Sequence, residues 1–174
     1  MGLKYGTVIL ENYNCNWKEM YIKEKEELKK IFGKLALEIE HIGSTSIENL
    51  KSKPIIDIAV GVKSLKDFDK VKKNFQKEPY SVKENPVEGE ELVRKGYPET
   101  NYLIHIMEKD SKRYRDTIIF RDYLRNNLEV LKEYEKLKET LAIKYKNDRS
   151  SYTKAKDIFI KNVIKKACDV SKKS

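Results

Sequence analysis

The ten residues KPIIDIAVGV, at positions 53–62, constrain the fold more than any other stretch of this chain. They are almost continuously apolar and rich in β-branched side chains, the composition of a central β-strand covered on both faces. Asp57 is the only charged residue inside the run. Burying a carboxylate as an ion is costly unless it is paired, hydrogen-bonded or bound to a metal. Asp57 therefore needs a partner, which could be a cation or a structural contact with Lys53, an arginine or a histidine.

Just upstream, LALEIEHI alternates in the period of a strand, with Leu35, Leu37, Ile39 and His41 on one face and Ala36, Glu38, Glu40 and Ile42 on the other. It ends at Gly43, followed by Ser44, Thr45 and Ser46. A glycine and three hydroxyl residues opening a short helical turn offer backbone N–H groups and hydroxyls to phosphate oxygens, with Lys53 adding charge. The simpler alternative is that Thr45 and Ser46 cap the next turn and Gly43 bends the chain. Asp57 follows Gly43 closely enough for the two to converge if their strands are neighbours.

Elsewhere, WKEMYIKEKEELKKIF reads as an amphipathic helix burying Trp17, Tyr21, Leu28, Ile31 and Phe32, with Gly33 at its C-terminal cap. A second helix is predicted from Ser64, with a capping-box Asp67 and a stripe of Leu65, Phe68, Val71 and Phe75. Strands are predicted at YSVKE, ELVRKG and NYLIHIME, with turns at Pro86 and Gly89. From about Ser111 three helices follow, and DVSKKS is expected to fray. The order predicts an α+β, mixed-sheet domain with helices gathered at its C-terminal end. We expect one domain over 1–174, with a sheet-containing core to about 108 and basic helices 109–174 packed on it.

Charge separates the same two parts. Residues 1–108 hold 18 Lys/Arg and 18 Asp/Glu, whereas 109–174 hold 19 and 10, so the net +9 lies in the last third. Such helices could draw a polyanion such as RNA or a nucleotide, or could simply be well solvated. Their aromatics fall at core spacing and no RNA-binding motif is present. Two cysteines far apart and two histidines argue against a disulfide framework or thiolate zinc site. No secretory leader or membrane span is evident, so a cytoplasmic location is expected.

The stretch EHIGSTSIENLKSKPIIDI, preceded by YNCNWKEMYIKEKEEL and followed by FRDYLRNN, YEKLKETLA and YTKAKDIFI, resembles the GrpB family from about Val8 to Ala167. The resemblance implies a nucleotidyltransferase-like fold of the DNA polymerase beta superfamily with a C-terminal helical extension. In that superfamily a Gly-Ser pair holds a triphosphate and strand carboxylates hold metal ions. Gly43 and Ser44 match the Gly-Ser pair, and Asp57 matches the first aspartate of its Asp-x-Asp or Asp-x-Glu. The second position is Ala59, which cannot coordinate a cation.

His41, Asp57 and His105 are the mid-strand polar residues that stand out; if they point to one face they make a His-Asp-His constellation beside the Gly-Ser loop, which could be a metal cluster, a phosphate or carboxylate pocket, or hydrogen bonds from Asp57 to histidines that fix the sheet. They are the candidate catalytic residues, with Asp57 and His105 as candidate metal ligands and Glu40 in reserve, while Glu108 ends the later strand from which the resemblance implies a third carboxylate. Gly43, Ser44, Thr45, Ser46 and Lys53 are the candidate phosphate ligands. Arg121, Arg125 and Lys156 are possible anion ligands, although Asp122 could pair the arginines within their helix and Tyr152 and Lys156 could serve packing. The implied cofactor is Mg2+ or Mn2+ and the implied ligand a nucleoside triphosphate or other phosphorylated molecule, with a possible protein acceptor. The functions in view are metal-assisted nucleotidyl transfer, a non-catalytic ligand- or partner-binding module on the same fold, and RNA binding.

Overall fold

The computed structural model of the protein describes residues 2–4, 6–84, 87–96 and 98–171. Two short strands, β1 (Leu3–Lys4) and β6 (Glu99–Thr100), pair with each other. The main sheet comprises β2 (Ala36–Ile42), β3 (Ile56–Val62), β4 (Tyr80–Val82), β5 (Glu90–Lys95) and β7 (Tyr102–Glu108), in the order β2-β3-β7-β5-β4. Strands β3 and β7 run parallel and every other neighbouring pair is antiparallel. The sheet is thus mixed, and its interior strand β3 is the apolar run around Asp57.

Alternation along β3 separates two cores. Ile56, Ile58, Val60 and Val62 face α1 (Asn16–Phe32), which buries Trp17, Leu28 and Phe32 against them. Complete burial of Leu28 and Phe32 contributes about 1.5–3 kcal/mol each. Glu19 in the first turn of α1 and Lys29 and Lys30 in the last suit the helix dipole, and Gly33 ends the helix at φ 53°. The opposite face carries Asp57, Ala59 and Gly61. There Tyr114 and Ile118 of α3 (Lys112–Asn126) cover Ile42, Ala59 and Met107. A Cβ on Gly61 would lie 3.1 Å from the Tyr114 ring, so the residue's size sets how closely α3 approaches.

Three more helices follow: α4 (Leu128–Lys144), α5 (Arg149–Ala155) and α6 (Asp157–Ser171). They are anchored on the segment after Gly43. Ile47 and Leu50 pack among Phe120, Leu124 and Tyr134, while Val8 packs against Leu141 and Tyr152. The Lys51 backbone is clamped as well, its N–H donating to Glu135 at 2.9 Å and its carbonyl accepting from the buried Lys138 ammonium. The connection between β2 and β3 therefore serves as the floor on which the C-terminal helices rest.

Several elements depart from the sequence reading. Leu37 does not join Ile39 and His41: a register irregularity between Ala36 and Glu38 turns it outward, and it is 52% exposed. The single helix expected after Ser64 is two short turns, α2 (Lys66–Asp69) and a 3-10 turn at Lys72–Phe75, separated at Lys70 and Val71. Phe68, Val71 and Phe75 are nevertheless buried as predicted. The last expected helix is split at Lys156, and Asp148 caps α5 by accepting from the Ser151 N–H at 3.0 Å. Gly89 has φ 83°, as a turn requires, whereas Pro86 and the last three residues lie outside the described residues.

Candidate functional site

The strand pairing decides which polar side chains meet. Ile42 of β2 is opposite Asp57, Glu40 is opposite Ala59, and Ala59 is in turn opposite His105 of β7. Glu40, Asp57 and His105 therefore share the α3 face. His41 is opposite Ile58 and belongs to the other face. The expected His-Asp-His cluster on one face does not form, because side-chain direction alternates along β2.

His41 instead lies within the fold, 8% exposed, stacked on Tyr21 with ring centroids 4.8 Å apart. Its Nε2 is 3.1 Å from the Thr45 hydroxyl, which itself donates to the Ile55 carbonyl at 3.3 Å. A hydroxyl has one proton to donate, so Nε2 carries the proton on the histidine. Burial, only partly opposed by the charge of Asp57, pulls the His41 pKa down to about 4. This neutral ring supports the loop from below.

On the other face His105 lies between two carboxylates. Its Nε2 is 3.4 Å from Asp57 Oδ1 and its Nδ1 is 3.3 Å from Glu90 Oε2, which also accepts from Arg113 Nε at 3.0 Å. Burial would lower the histidine pKa, but the bonds and charges of Asp57 and Glu90 outweigh it and raise it to about 9. Burial would likewise raise Asp57, yet His105, Lys53 and Arg149 together hold it below the ordinary aspartate value. At neutral pH the unit is an imidazolium between carboxylates, with both ring nitrogens engaged. Glu90 and Arg113 escaped the sequence reading. The available signal was His105 itself, since a mid-strand histidine needs partners on adjacent strands.

Asp57 meets the glycine loop directly. Gly43 has φ 67°, and a Cβ built there would lie 2.5 Å from Asp57 Oδ2 and 2.9 Å from its Cβ. Any other residue would be strained both by the backbone conformation and by contact with the carboxylate. Residues 44–46 form one 3-10 turn, in which the Ser46 hydroxyl donates to the Gly43 carbonyl at 2.6 Å. The Ser46 and Thr45 hydroxyls thus donate to backbone carbonyls, and neither caps the turn as the simpler alternative expected. The half-buried Ser44 hydroxyl has no bond among the described residues, and the N–H groups of Ser44 and Thr45 head the turn.

The helical arginines hold this loop in shape. Arg121, 9% exposed, donates to Glu40 at 2.6 Å, to the His41 carbonyl at 3.0 Å and to Asp122 at 2.7 Å. Arg125 donates to the Ser46 carbonyl at 2.8 Å. Of these two guanidiniums, considered for anion binding from sequence, Arg125 is directed at the loop backbone and Arg121 at the end of β2 and the carboxylates of Glu40 and Asp122. Lys53 and Lys156 lie elsewhere, their ammonium groups 5.2 Å and 4.5 Å from the centroid of the Tyr152 ring. Glu108, at the end of the strand where a third carboxylate was sought, accepts from the Leu65 N–H at 3.2 Å.

Mg2+ prefers oxygen ligands in a near-octahedral shell and is commonly held by one or two carboxylates together with ligand phosphates. Asp57 supplies one carboxylate, Ala59 supplies none and Glu40 is engaged by Arg121. Among the described residues no three His, Cys, Asp or Glu side chains converge as a metal-holding group. The donor set fits a single cation shared with a ligand's phosphates and does not fit a two-metal centre.

Comparison with known proteins gives a consistent assignment. The family model described as GrpB protein matches residues 7–166. The glutamate-rich protein GrpB of Alkalihalophilus pseudofirmus is 39% identical over 170 residues, covering 94% of this chain and 98% of its own length. The UPF0157 protein YqkA of Bacillus subtilis is 36% identical over 150 residues, but this chain spans only 44% of its length. The crystal structure of conserved protein GrpB from Enterococcus faecalis superposes with a TM-score of 0.85 at 33% identity, covering 94% of this chain and 99% of that one.

Proposed function

The chain belongs to the GrpB family, and from that premise we propose that it binds a nucleotide or similar phosphorylated ligand where the Gly43–Ser46 loop faces Asp57. The observation carrying this reading is the 2.5 Å approach of a Gly43 Cβ to the Asp57 carboxylate. A loop able to donate N–H groups and a carboxylate able to hold a cation meet with no side chain between them. Ser44 and the head of its turn receive phosphate oxygens. Asp57 is the residue that would hold a Mg2+ or Mn2+, and the cation would supply charge that offsets the repulsion between carboxylate and phosphate.

In the catalytic form of this reading the protein transfers a nucleotidyl group. An acceptor hydroxyl attacks the α-phosphorus, forming a P–O bond as the bond to pyrophosphate breaks, and its proton passes to solvent. His105, charged and fixed between Asp57 and Glu90, contributes positive potential beside the phosphates. His41 acts through the loop and not on the ligand, because its ring is buried on the far face.

A second reading, a binding module without turnover, draws on Ala59. The position of a second carboxylate is occupied by a methyl group opposite His105, so positive charge from the protein stands where further metal coordination would be needed. Calorimetric titration of the four ribonucleoside triphosphates, with and without Mg2+ or Mn2+, tests both. Metal-dependent binding that is lost in Asp57→Ala supports the catalytic reading. Metal-independent binding that survives Asp57→Ala supports the module, and no binding in any condition overturns the nucleotide assignment.

A further inference from the structure

Glu90, which the sequence reading passed over, is a buried acid one strand beyond His105. It opens β5, is 6% exposed and pairs across the sheet with Met107, so its side chain reaches diagonally to His105 two residues along β7. A carboxylate at this depth needs partners, and Glu90 has two. A single oxygen, Oε2, accepts from Arg113 Nε at 3.0 Å and from His105 Nδ1 at 3.3 Å.

On the other side of the ring, His105 is opposite Ala59 of β3, and Asp57 is its diagonal neighbour there. His105 Nε2 stands 3.4 Å from Asp57 Oδ1, whereas Oδ2 is the atom that a Gly43 Cβ would meet at 2.5 Å. The two oxygens of Asp57 are thus divided, one bonded to the histidine and the other turned to the loop. An imidazole held by one nitrogen can still pivot about its side-chain bonds, and a hold on the second nitrogen stops it. Glu90 supplies that second hold. The direction of Asp57 Oδ2 therefore depends on a residue whose own bonds go to His105 and Arg113.

Arg113 lies in the first turn of α3. The same helix sends Arg121 to Glu40 and the His41 carbonyl, and Arg125 to the Ser46 carbonyl. Through Arg121 and Arg125 it grips the end of β2 and the loop. Through Arg113 and Glu90 it grips the strand carboxylate that the loop faces.

Resting on the reading of the loop and Asp57 as a ligand site, we propose that Glu90, clamped by Arg113, is a positioning residue for Asp57: it locks the His105 ring, which holds the carboxylate with Oδ2 facing the Gly43–Ser46 loop. Glu90 acts by orientation and not by its charge. Both of its bonds go to one oxygen, so a glutamine carbonyl at this position can accept them both, which separates orientation from charge.

The test uses the full chain with its histidines labelled by a heavy nitrogen isotope. There are only two, so each ring is followed by itself in the magnetic resonance spectrum, and His41 on the far face is the internal reference. Metal-free spectra of wild type, Glu90→Gln, Glu90→Ala and Arg113→Met are compared, His105→Gln assigns the ring, and urea unfolding verifies that each variant folds. We expect both His105 N–H signals to be protected from solvent exchange in wild type and in Glu90→Gln. Glu90→Ala should lose protection at Nε2 as well as Nδ1, although Nδ1 alone touched Glu90. Arg113→Met, at a partly exposed residue, should shift both signals in the same direction by less. Mn2+ with tripolyphosphate, the part common to all nucleoside triphosphates, is then titrated into the same proteins. Glu90→Ala should bind it about 10-fold or more weakly than wild type, and Glu90→Gln within about 3-fold of wild type.

Unchanged Nε2 protection in Glu90→Ala overturns the proposal, since the ring would then be held at Asp57 without Glu90. Equal losses in Glu90→Gln and Glu90→Ala overturn it as well, because charge would be the cause. If Glu90→Ala does not fold, Arg113→Met decides: weakened His105 signals support the clamp and unchanged ones overturn it. A wild type that does not bind Mn2+ with tripolyphosphate removes the loop reading, while the metal-free ring signals still decide whether Glu90 positions Asp57.

Discussion

Gly43 and Asp57 are in such close contact that the loop backbone and the strand carboxylate form one surface: a Cβ at residue 43 would sit 2.9 Å from the Asp57 Cβ and 2.5 Å from Oδ2. Gly43→Ala should therefore destabilise the fold by about 1–3 kcal/mol through the φ of 67° and the clash together. Equilibrium urea unfolding measures this. The cost should shrink when Asp57 is also changed to Gly, because the obstructing atoms are then gone. Additive costs in the double variant would show that the clash plays no part.

Arg121 ties α3 to the end of β2 through Glu40 and the His41 carbonyl. Its removal leaves a carboxylate and a carbonyl without their donor, so Arg121→Ala should cost about 2–3 kcal/mol. Arg121→Lys should recover only part of this, because an ammonium cannot reach Glu40, His41 and Asp122 with one planar fork. Urea midpoints of the two variants provide the comparison, and complete rescue by lysine would count against the clamp.

Ala59 is fully buried between Ile42, Met107 and Tyr114. Ala59→Asp would place a second carboxylate beside Asp57 and should lower stability in EDTA by about 2–4 kcal/mol. If Asp57 holds a cation, Mg2+ should restore part of that loss and raise the melting temperature of the variant more than that of wild type. An equal response of both proteins to Mg2+ would argue against a cation at Asp57.

The two histidines bias stability in opposite directions with pH. His41 has a pKa lowered from 6.5 to about 4, so the unfolded chain takes up its proton first and stability falls as pH drops from 6.5 to 4. His105 is raised from 6.5 to about 9, so its contribution is complete below 6.5 and fades as pH rises through 9. Each shift corresponds to at most about 3.5 kcal/mol. Unfolding free energy measured against pH should show His41→Asn flattening the acid limb relative to wild type. His105→Gln should remove a loss on the alkaline side, and unchanged limbs in either variant would contradict the assignment.

Much of the fold was legible because its signals are local. The apolar run around Asp57 predicted an interior strand, WKEMYIKEKEELKKIF predicted α1, and the requirement for small size and positive φ at Gly43 follows from a loop that meets a carboxylate. The mixed α/β sheet, the C-terminal helices and the GrpB likeness were all readable in this way. Where signals depended on register they failed: an irregularity turned Leu37 outward, and alternation along β2 placed His41 opposite the face of Asp57, with Glu40 in its place.

The sequence by itself determined which residues had to be satisfied. A buried aspartate needed a partner, mid-strand histidines needed hydrogen bonds, and a basic C-terminal third needed solvent or an anion. Only the tertiary structure decided which partners they received. Strand pairing joined Asp57 to His105 and Glu90 across 48 and 15 residues of chain, respectively, from His105. Helix docking on Ile47 and Leu50 then carried Lys156 to the Tyr152 ring that Lys53 also approaches, although the two lysines lie far apart in sequence. No periodicity records such contacts, because electrostatic partners are chosen by distance in space, and that distance is set by how the two apolar cores pack.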